Sequence, residues 1–126
     1  ATAVNQDGRS SSLTAPNGPS QQAVMRLALG DACAAPTAVR LLQMHGTGTG
    51  LGDPIEMGAV DSVFGSEITA TLCVQSSKAS LGHSEPAAGI VSLLLAIIGI
   101  EFQQNASNFR NDSCCQDRNK SGFTLC

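Results

Sequence analysis

The run AAGIVSLLLAIIGI, residues 87–100, carries no charge and a single polar side chain, Ser92. A bilayer-spanning helix needs about 20 apolar residues, so this run is too short to cross a membrane. It has to find apolar cover within protein. Pro86 directly precedes it. A buried core helix is therefore expected. That helix requires layers of other structure to pack against.

The rest of the chain supplies alternating elements. Asn17-Gly18-Pro19 marks a helix start, and Val24, Leu27 and Ala28 fall on one face before Gly30 offers an end. After Pro36 comes VRLLQM, a short apolar run that reads as a strand. A glycine-rich loop follows, and then a helix with Asp53 as cap, Pro54 at its first position and Glu56 completing a capping box. Ile55, Ala59, Val60, Val63 and Phe64 carry its apolar face, with Gly65 just past the end. TATLCVQ reads as a second strand, followed by the small-residue loop SSKASLGHSE and the apolar helix. Strands alternating with helices predict an α/β protein with a parallel sheet covered on both faces. In such sheets ligands gather beyond the carboxyl ends of the strands.

Composition excludes several roles. The net charge is −3, and the seven lysines and arginines are scattered, which argues against a nucleic-acid surface. Trp and Tyr are absent, so no aromatic stacking platform is available. No basic stretch leads into an apolar run at the start, so no secretory signal is visible. The chain does not begin with methionine, and its first residues read as mid-chain sequence. At 126 residues it suits one domain with one core, or part of a larger one. Its five cysteines, Cys33, Cys73, Cys114, Cys115 and Cys126, show neither zinc spacing nor a disulfide framework. Cys33 and Cys73 are expected as buried thiols in a reducing compartment. From Glu101 onward the chain turns polar and loses periodicity.

Both histidines fall in the loops that follow the two strands: His45 directly after the first, His83 at the close of the second loop. If the strands are neighbours, about 4.8 Å apart, both rings can point into one pocket. Three chemistries are open to this constellation. The glycines 46, 48, 50 and 52 do not give the dinucleotide spacing, and no Gly-Lys-Ser/Thr follows, so a phosphate-binding loop is disfavoured. A metal site would draw on His45 and His83 with Asp53, Glu56 or Glu85, but the first two acids are already explained by capping, and Lys78 would bring a positive charge nearby. The third is acyl chemistry. Two neutral imidazoles aimed at one point can donate hydrogen bonds to a carbonyl oxygen that gains negative charge. Glycines beside His45 let a substrate approach closely. The competing reading is structural, since a histidine after a strand is often a hydrogen-bonded scaffold residue and a glycine-rich loop often only turns.

NQDGRSSSLTAPNGPSQQ, HGTGTGLGDPIEMGAV and SSKASLGHSEPAAGIVSLLLAI, in this order, resemble successive motifs of the β-ketoacyl synthase (ketosynthase) domain of type I polyketide synthases. Condensing domains of fatty acid synthases are similar but match less well in the first block. The resemblance covers residues 1–104 as the C-terminal part of such a domain and leaves 105–126 as a divergent polar tail, expected to be unstructured. It implies a thiolase-like fold, present here in part, whose parent is a layered α-β-α-β-α sandwich, usually homodimeric. It further implies decarboxylative condensation of acyl and malonyl-type thioesters carried on the phosphopantetheine arm of acyl carrier protein. No bound cofactor or metal is implied, and neither nucleic acid nor membrane is a partner. Neighbouring polyketide synthase domains are, and the compartment would be cytoplasmic or an organelle.

Carried over to this chain, His45 and His83 resemble the two histidines of a Cys-His-His triad, and Lys78 the lysine that supports the second. Gly46, Thr47, Gly48 and Thr49 are the candidate substrate-binding residues. The family's nucleophilic cysteine belongs to a Cys-Ser turn upstream of the matched blocks, and none of the five cysteines here has that context. Ser80 stands where many relatives carry asparagine. The alternative is a ketosynthase-like scaffold or inactive truncated product.

Overall fold

Asn17 opens the first helix as the sequence predicts. Its side-chain oxygen accepts the Ser20 N–H at 3.1 Å, and its amide donates to the Asp7 carbonyl at 2.7 Å. The computed structural model describes residues 1–8, 15–65, 72–106 and 123–125, which form two units, Ala1–Val39 with Gly46–Ala70 and Arg40–His45 with Thr71–Cys126. The stretch 9–14 of the first resembling block lies outside the described residues.

In the first unit α1 (Gly18–Asp31) packs against α2 (Gly52–Phe64). The apolar stripe of α2 is buried at Ala59, Val60, Val63 and Phe64, with Gly65 as its C-cap, as its periodicity predicts. Arg26 on α1 donates to the Ser62 carbonyl near the end of α2. Two expectations fail on α1. The helix runs past Gly30 to Asp31, and Leu27 is 56% exposed, so the apolar face is narrower than its spacing suggested. Cys33 is exposed rather than buried, because it sits in the turn after α1 with a φ of 49°.

The second unit is built on a parallel sheet of β1 (Leu41–Gln43), β2 (Leu72–Gln75) and β3 (Phe123–Leu125), in that order. Leu41 pairs with Cys73 and Gln43 with Gln75, and Met44 prolongs the ladder by donating to the Gln75 carbonyl at 2.7 Å. Leu72 and Val74 are buried, and Cys73 between them is half-buried, the alternation that a strand's period of two imposes. The polar tail, expected to be unstructured, supplies β3, whose Phe and Thr are strand formers.

The 76–85 loop contains one helical turn, α3 (Lys78–Leu81), which Gly82 ends at a φ of 75°. A 3-10 turn, Glu85–Ala87, then leads into α4 (Ala88–Ala106), two residues beyond the boundary at 104. The apolar run forms this helix, but it is not buried as expected. One side packs on β1, where Gly99 lies close to Leu41, whereas Ile90, Leu93, Leu94, Ile97, Ile98 and Ile100 are exposed. The sheet of this unit covers only one flank of a helix that is apolar all round. None of the described helices is long and apolar enough to cross a membrane.

Candidate active site

The parallel pairing of β1 with β2 carries both histidines to one edge of the second unit. His45 lies two residues beyond Gln43, and His83 follows α3 and Gly82. Their ring centroids are 5.4 Å apart, at an interplanar angle of 84°. Both side chains are exposed.

The ring of His83 is oriented by its own loop. Its Nδ1 accepts the Glu85 N–H at 3.0 Å, so the proton of the neutral imidazole lies on Nε2. Nε2 is then a donor pointing away from the loop. Glu85 holds this bond at a φ of 45°, a left-handed conformation that costs a non-glycine residue about 1 kcal/mol.

Lys78 sits beside the pair but does not bond His83, the partner implied by the family resemblance. Its ammonium donates to the backbone carbonyl of His45 at 2.5 Å. The Ser76 hydroxyl reaches the same carbonyl at 3.4 Å. Two donors from the segment after β2 thus converge on the backbone of His45, two residues past β1. Ser76 carries no signal of its own in the sequence, where it is one small residue among several.

Behind this edge Gln43 donates from Nε2 to Gln75 Oε1 at 3.2 Å, and both amides line an open cavity of about 470 Å³ with Ser76, Ser80, Leu95 and Ile98. Gln43 Oε1 is buried there with no hydrogen-bond partner among the described residues.

The glycine loop belongs to the first unit. The structure corrects the capping assignment of its two acids. The N-cap position of α2 is Leu51, not Asp53, and Gly52 is already helical. The Thr49 hydroxyl takes the Gly52 N–H at 3.1 Å. Asp53 instead reaches back with both oxygens to the Gly48 N–H, at 3.2 and 3.1 Å, and Glu56 accepts the Gly46 N–H at 2.9 Å. Amides that a phosphate loop would present to its ligand are here bonded to the chain's own carboxylates.

Gly46 and Gly48 have φ values of 48° and 75°. A Cβ at Gly48 would meet nothing within 4 Å, so the backbone conformation, rather than crowding, calls for glycine there. No group of three or more His, Cys, Asp and Glu that could hold a metal ion occurs among the described residues.

Comparison with known proteins follows the same residues. The β-ketoacyl synthase C-terminal domain family matches residues 1–109. Polyketide synthase GfsA of Streptomyces halstedii is 48% identical over 101 residues, covering 79% of this chain and 1% of that protein. The pikromycin polyketide synthase component PikAIII of Streptomyces venezuelae is 48% identical over 95 residues, 74% of this chain and 6% of the relative. Among solved structures, the oxazolomycin ketosynthase domain OzmH KS8 of Streptomyces albus JA3453 superposes with a TM-score of 0.72 at 30% identity, over 76% of this chain and 26% of that one. The ketosynthase from module 6 of the bacillaene synthase of Bacillus subtilis 168 gives 0.74 at 31% identity, over 79% of this chain and 18% of that one. The chain therefore spans about a quarter or less of each of these relatives. With a thiolase-like fold in part, it belongs to the β-ketoacyl synthase family, as the C-terminal part of a ketosynthase domain of the type I polyketide synthases.

Proposed function

We propose that these residues serve a ketosynthase that joins an acyl thioester to a malonyl-type extender, both delivered on the phosphopantetheine arm of acyl carrier protein. The observation that carries the reading is the imidazole pair, 5.4 Å between centroids, with the His83 Nδ1 engaged by Glu85 so that Nε2 remains to donate.

In the reaction, the bond between the extender's carboxylate and its α-carbon breaks and CO2 leaves. The electron pair of that bond forms an enolate. His45 and His83 stabilise the enolate oxygen by donating to it, the largest kind of contribution available to such a site. The α-carbon then attacks the carbonyl of an acyl chain held on a cysteine. The carbon–sulfur bond breaks, the cysteine departs as thiolate, and a β-ketoacyl thioester remains on the carrier.

The cysteine is supplied by a Cys-Ser turn upstream of these residues in the parent. Lys78 acts on His45 through its carbonyl. Gly46, Thr47, Gly48 and Thr49 receive the thioester and the carrier arm. The partners are acyl carrier protein, neighbouring synthase domains and a second copy of the complete domain, in the cytoplasm or an organelle. The 126 residues alone condense nothing.

The test uses the complete parent domain. His45→Ala and His83→Ala should each slow decarboxylation of a malonyl-carrier by about 10²–10³-fold, the usual consequence of deleting one such donor, while acyl loading of the cysteine falls much less. Equal loss of both steps would make the histidines structural. A parent without the Cys-Ser turn would replace the enzyme reading by that of a scaffold.

A further inference from the structure

Gln43 and Gln75 are register partners at the ends of β1 and β2, so their side chains leave the same face of the sheet. Gln43 Nε2 donates to Gln75 Oε1 at 3.2 Å, and Gln75 Nε2 reaches Cys73 Sγ at 3.3 Å. Gln43 Oε1 is left buried with no partner among the described residues. Buried acceptors are nearly always paired, so this one calls for a partner from outside the sheet. Turning both amides over keeps the bond between them and makes the orphan an N–H donor. The position therefore suits a group that both donates and accepts, and a hydroxyl does both.

Both glutamines line the open cavity of about 470 Å³, whose apolar side is made by Leu95 and Ile98 of α4. Ser76 joins this cavity to the histidine edge, because its hydroxyl also donates to the His45 carbonyl. Gln43 lies two residues before His45, about 7 Å along a strand. An apolar wall facing a few fixed polar groups suits an alkyl chain that carries an isolated oxygen. Condensation as proposed above leaves oxygen on alternate carbons of the growing chain, first on the third and after another round on the fifth. As a ketone that oxygen only accepts; as an alcohol it also donates.

We infer that Gln43 and Gln75 are specificity-determining residues, and that the cavity takes the growing acyl chain and selects one with a hydroxyl on its third or fifth carbon over a saturated one. The inference rests on the function proposed above. Gln43 touches the hydroxyl, and Gln75 is a positioning residue that holds the Gln43 amide. A saturated chain fills the same space and leaves the Gln43 amide unpaired, and that difference is the selection.

The experiment gives the complete parent domain the pantetheine thioesters of hexanoate, 3-hydroxyhexanoate and 5-hydroxyhexanoate. Two readouts are taken: kcat/KM for acyl loading of the cysteine, and Kd by calorimetry with that cysteine replaced by alanine. The wild-type domain should favour one of the hydroxylated chains over hexanoate by about tenfold in both. Gln43→Met keeps the length of the side chain and removes its polar atoms. It should bring the ratio close to one, with hexanoate loading within about twofold of wild type. Gln75→Met should lower the ratio about threefold, since Gln43 keeps its amide but loses its hold.

Equal treatment of the three chains by the wild-type domain would overturn the inference, and that arm needs no variant. So would a Gln43→Met domain that slows all three chains alike, the mark of a cavity filled by protein in the parent. If Gln43→Met does not fold, the decision falls to Gln75→Met, whose ratio must drop. A parent that binds the chains with the expected ratio but does not condense would refute the proposed function and leave the selection standing. A parent that condenses without discriminating would do the reverse.

Discussion

The bond from Lys78 to the carbonyl of His45 gives a quantitative handle on how the site is held. Lys78→Met removes the ammonium and keeps a stem of similar length. A hydrogen bond to a charged group contributes about 1.5–3 kcal/mol. Lys78 is half-buried and its acceptor belongs to an exposed residue, so the lower end applies, about 1.5 kcal/mol. If that energy holds the imidazole where the enolate forms, the decarboxylation rate falls about tenfold.

The Ser76 hydroxyl is 3.4 Å from the same oxygen, at the weak end of hydrogen-bond geometry. Ser76→Ala should therefore cost less than about threefold, or roughly 0.5 kcal/mol. The double variant tests the reasoning further. With both donors gone a buried carbonyl would be orphaned, at an additional cost of about 1–3 kcal/mol. His45 is exposed, so water can take their place. The two donors share one acceptor, and Ser76 Oγ also accepts the Lys78 backbone N–H at 3.4 Å, so the two losses should depart from additivity by about 0.5 kcal/mol or more.

The assay is single-turnover release of CO2 from a malonyl-carrier by the complete domain. A Lys78→Met rate within twofold of wild type would mean that the bond positions nothing. A loss beyond about 10³-fold would mean that the ammonium takes part in the chemistry directly.

Three further outcomes follow from local geometry. Asn17→Ala removes the acceptor for the Ser20 N–H and the donor to Asp7, and should lower the stability of the parent by about 1 kcal/mol in denaturant unfolding; no change would mean the cap is redundant. Gly82 has a φ of 75° and a ψ of 177° in front of open space, so Gly82→Ala should cost about 1–3 kcal/mol through the backbone alone and should slow decarboxylation by displacing His83; a variant with wild-type melting temperature and rate would refute this. The isolated chain exposes six large apolar residues of α4 between Ile90 and Ile100, and should bind a hydrophobic dye and melt broadly; a sharp cooperative transition from a monomer would contradict it.

The legible parts of this molecule are those in which local pattern and tertiary placement agree. The stripe from Ala59 to Phe64 is periodic and buried, and the two apolar runs before the histidines pair as parallel strands. That pairing brought His45 and His83 together, because two loops leaving the same edge of a sheet have little choice of where to go. Where the pattern permits several partners, the sequence is mute. An apolar run specifies that α4 needs cover, but hydropathy does not name the covering element, and only one flank finds it in this chain. The family resemblance ties Lys78 to the second histidine, His83. A backbone carbonyl has no sequence signature at all, and a carbonyl is what the ammonium bonds.

Asp53 and Glu56 show the limit most clearly. An acid at a helix start followed three residues later by another is the pattern of a capping box, and it is equally the pattern of two carboxylates on one face of a first turn. The choice depends on whether the preceding residues leave amides for them. A loop with glycines at positive φ does leave such amides, whereas an extended approach to the helix would not. The glycines before Asp53 were therefore the clue to what the acids do: HGTGTGLGDPIE is one device, in which the flexible half is held by the helical half. Glycine supplies the conformations, and the acids accept the amide N–H groups at two of them. Neither half can be assigned a role without the other.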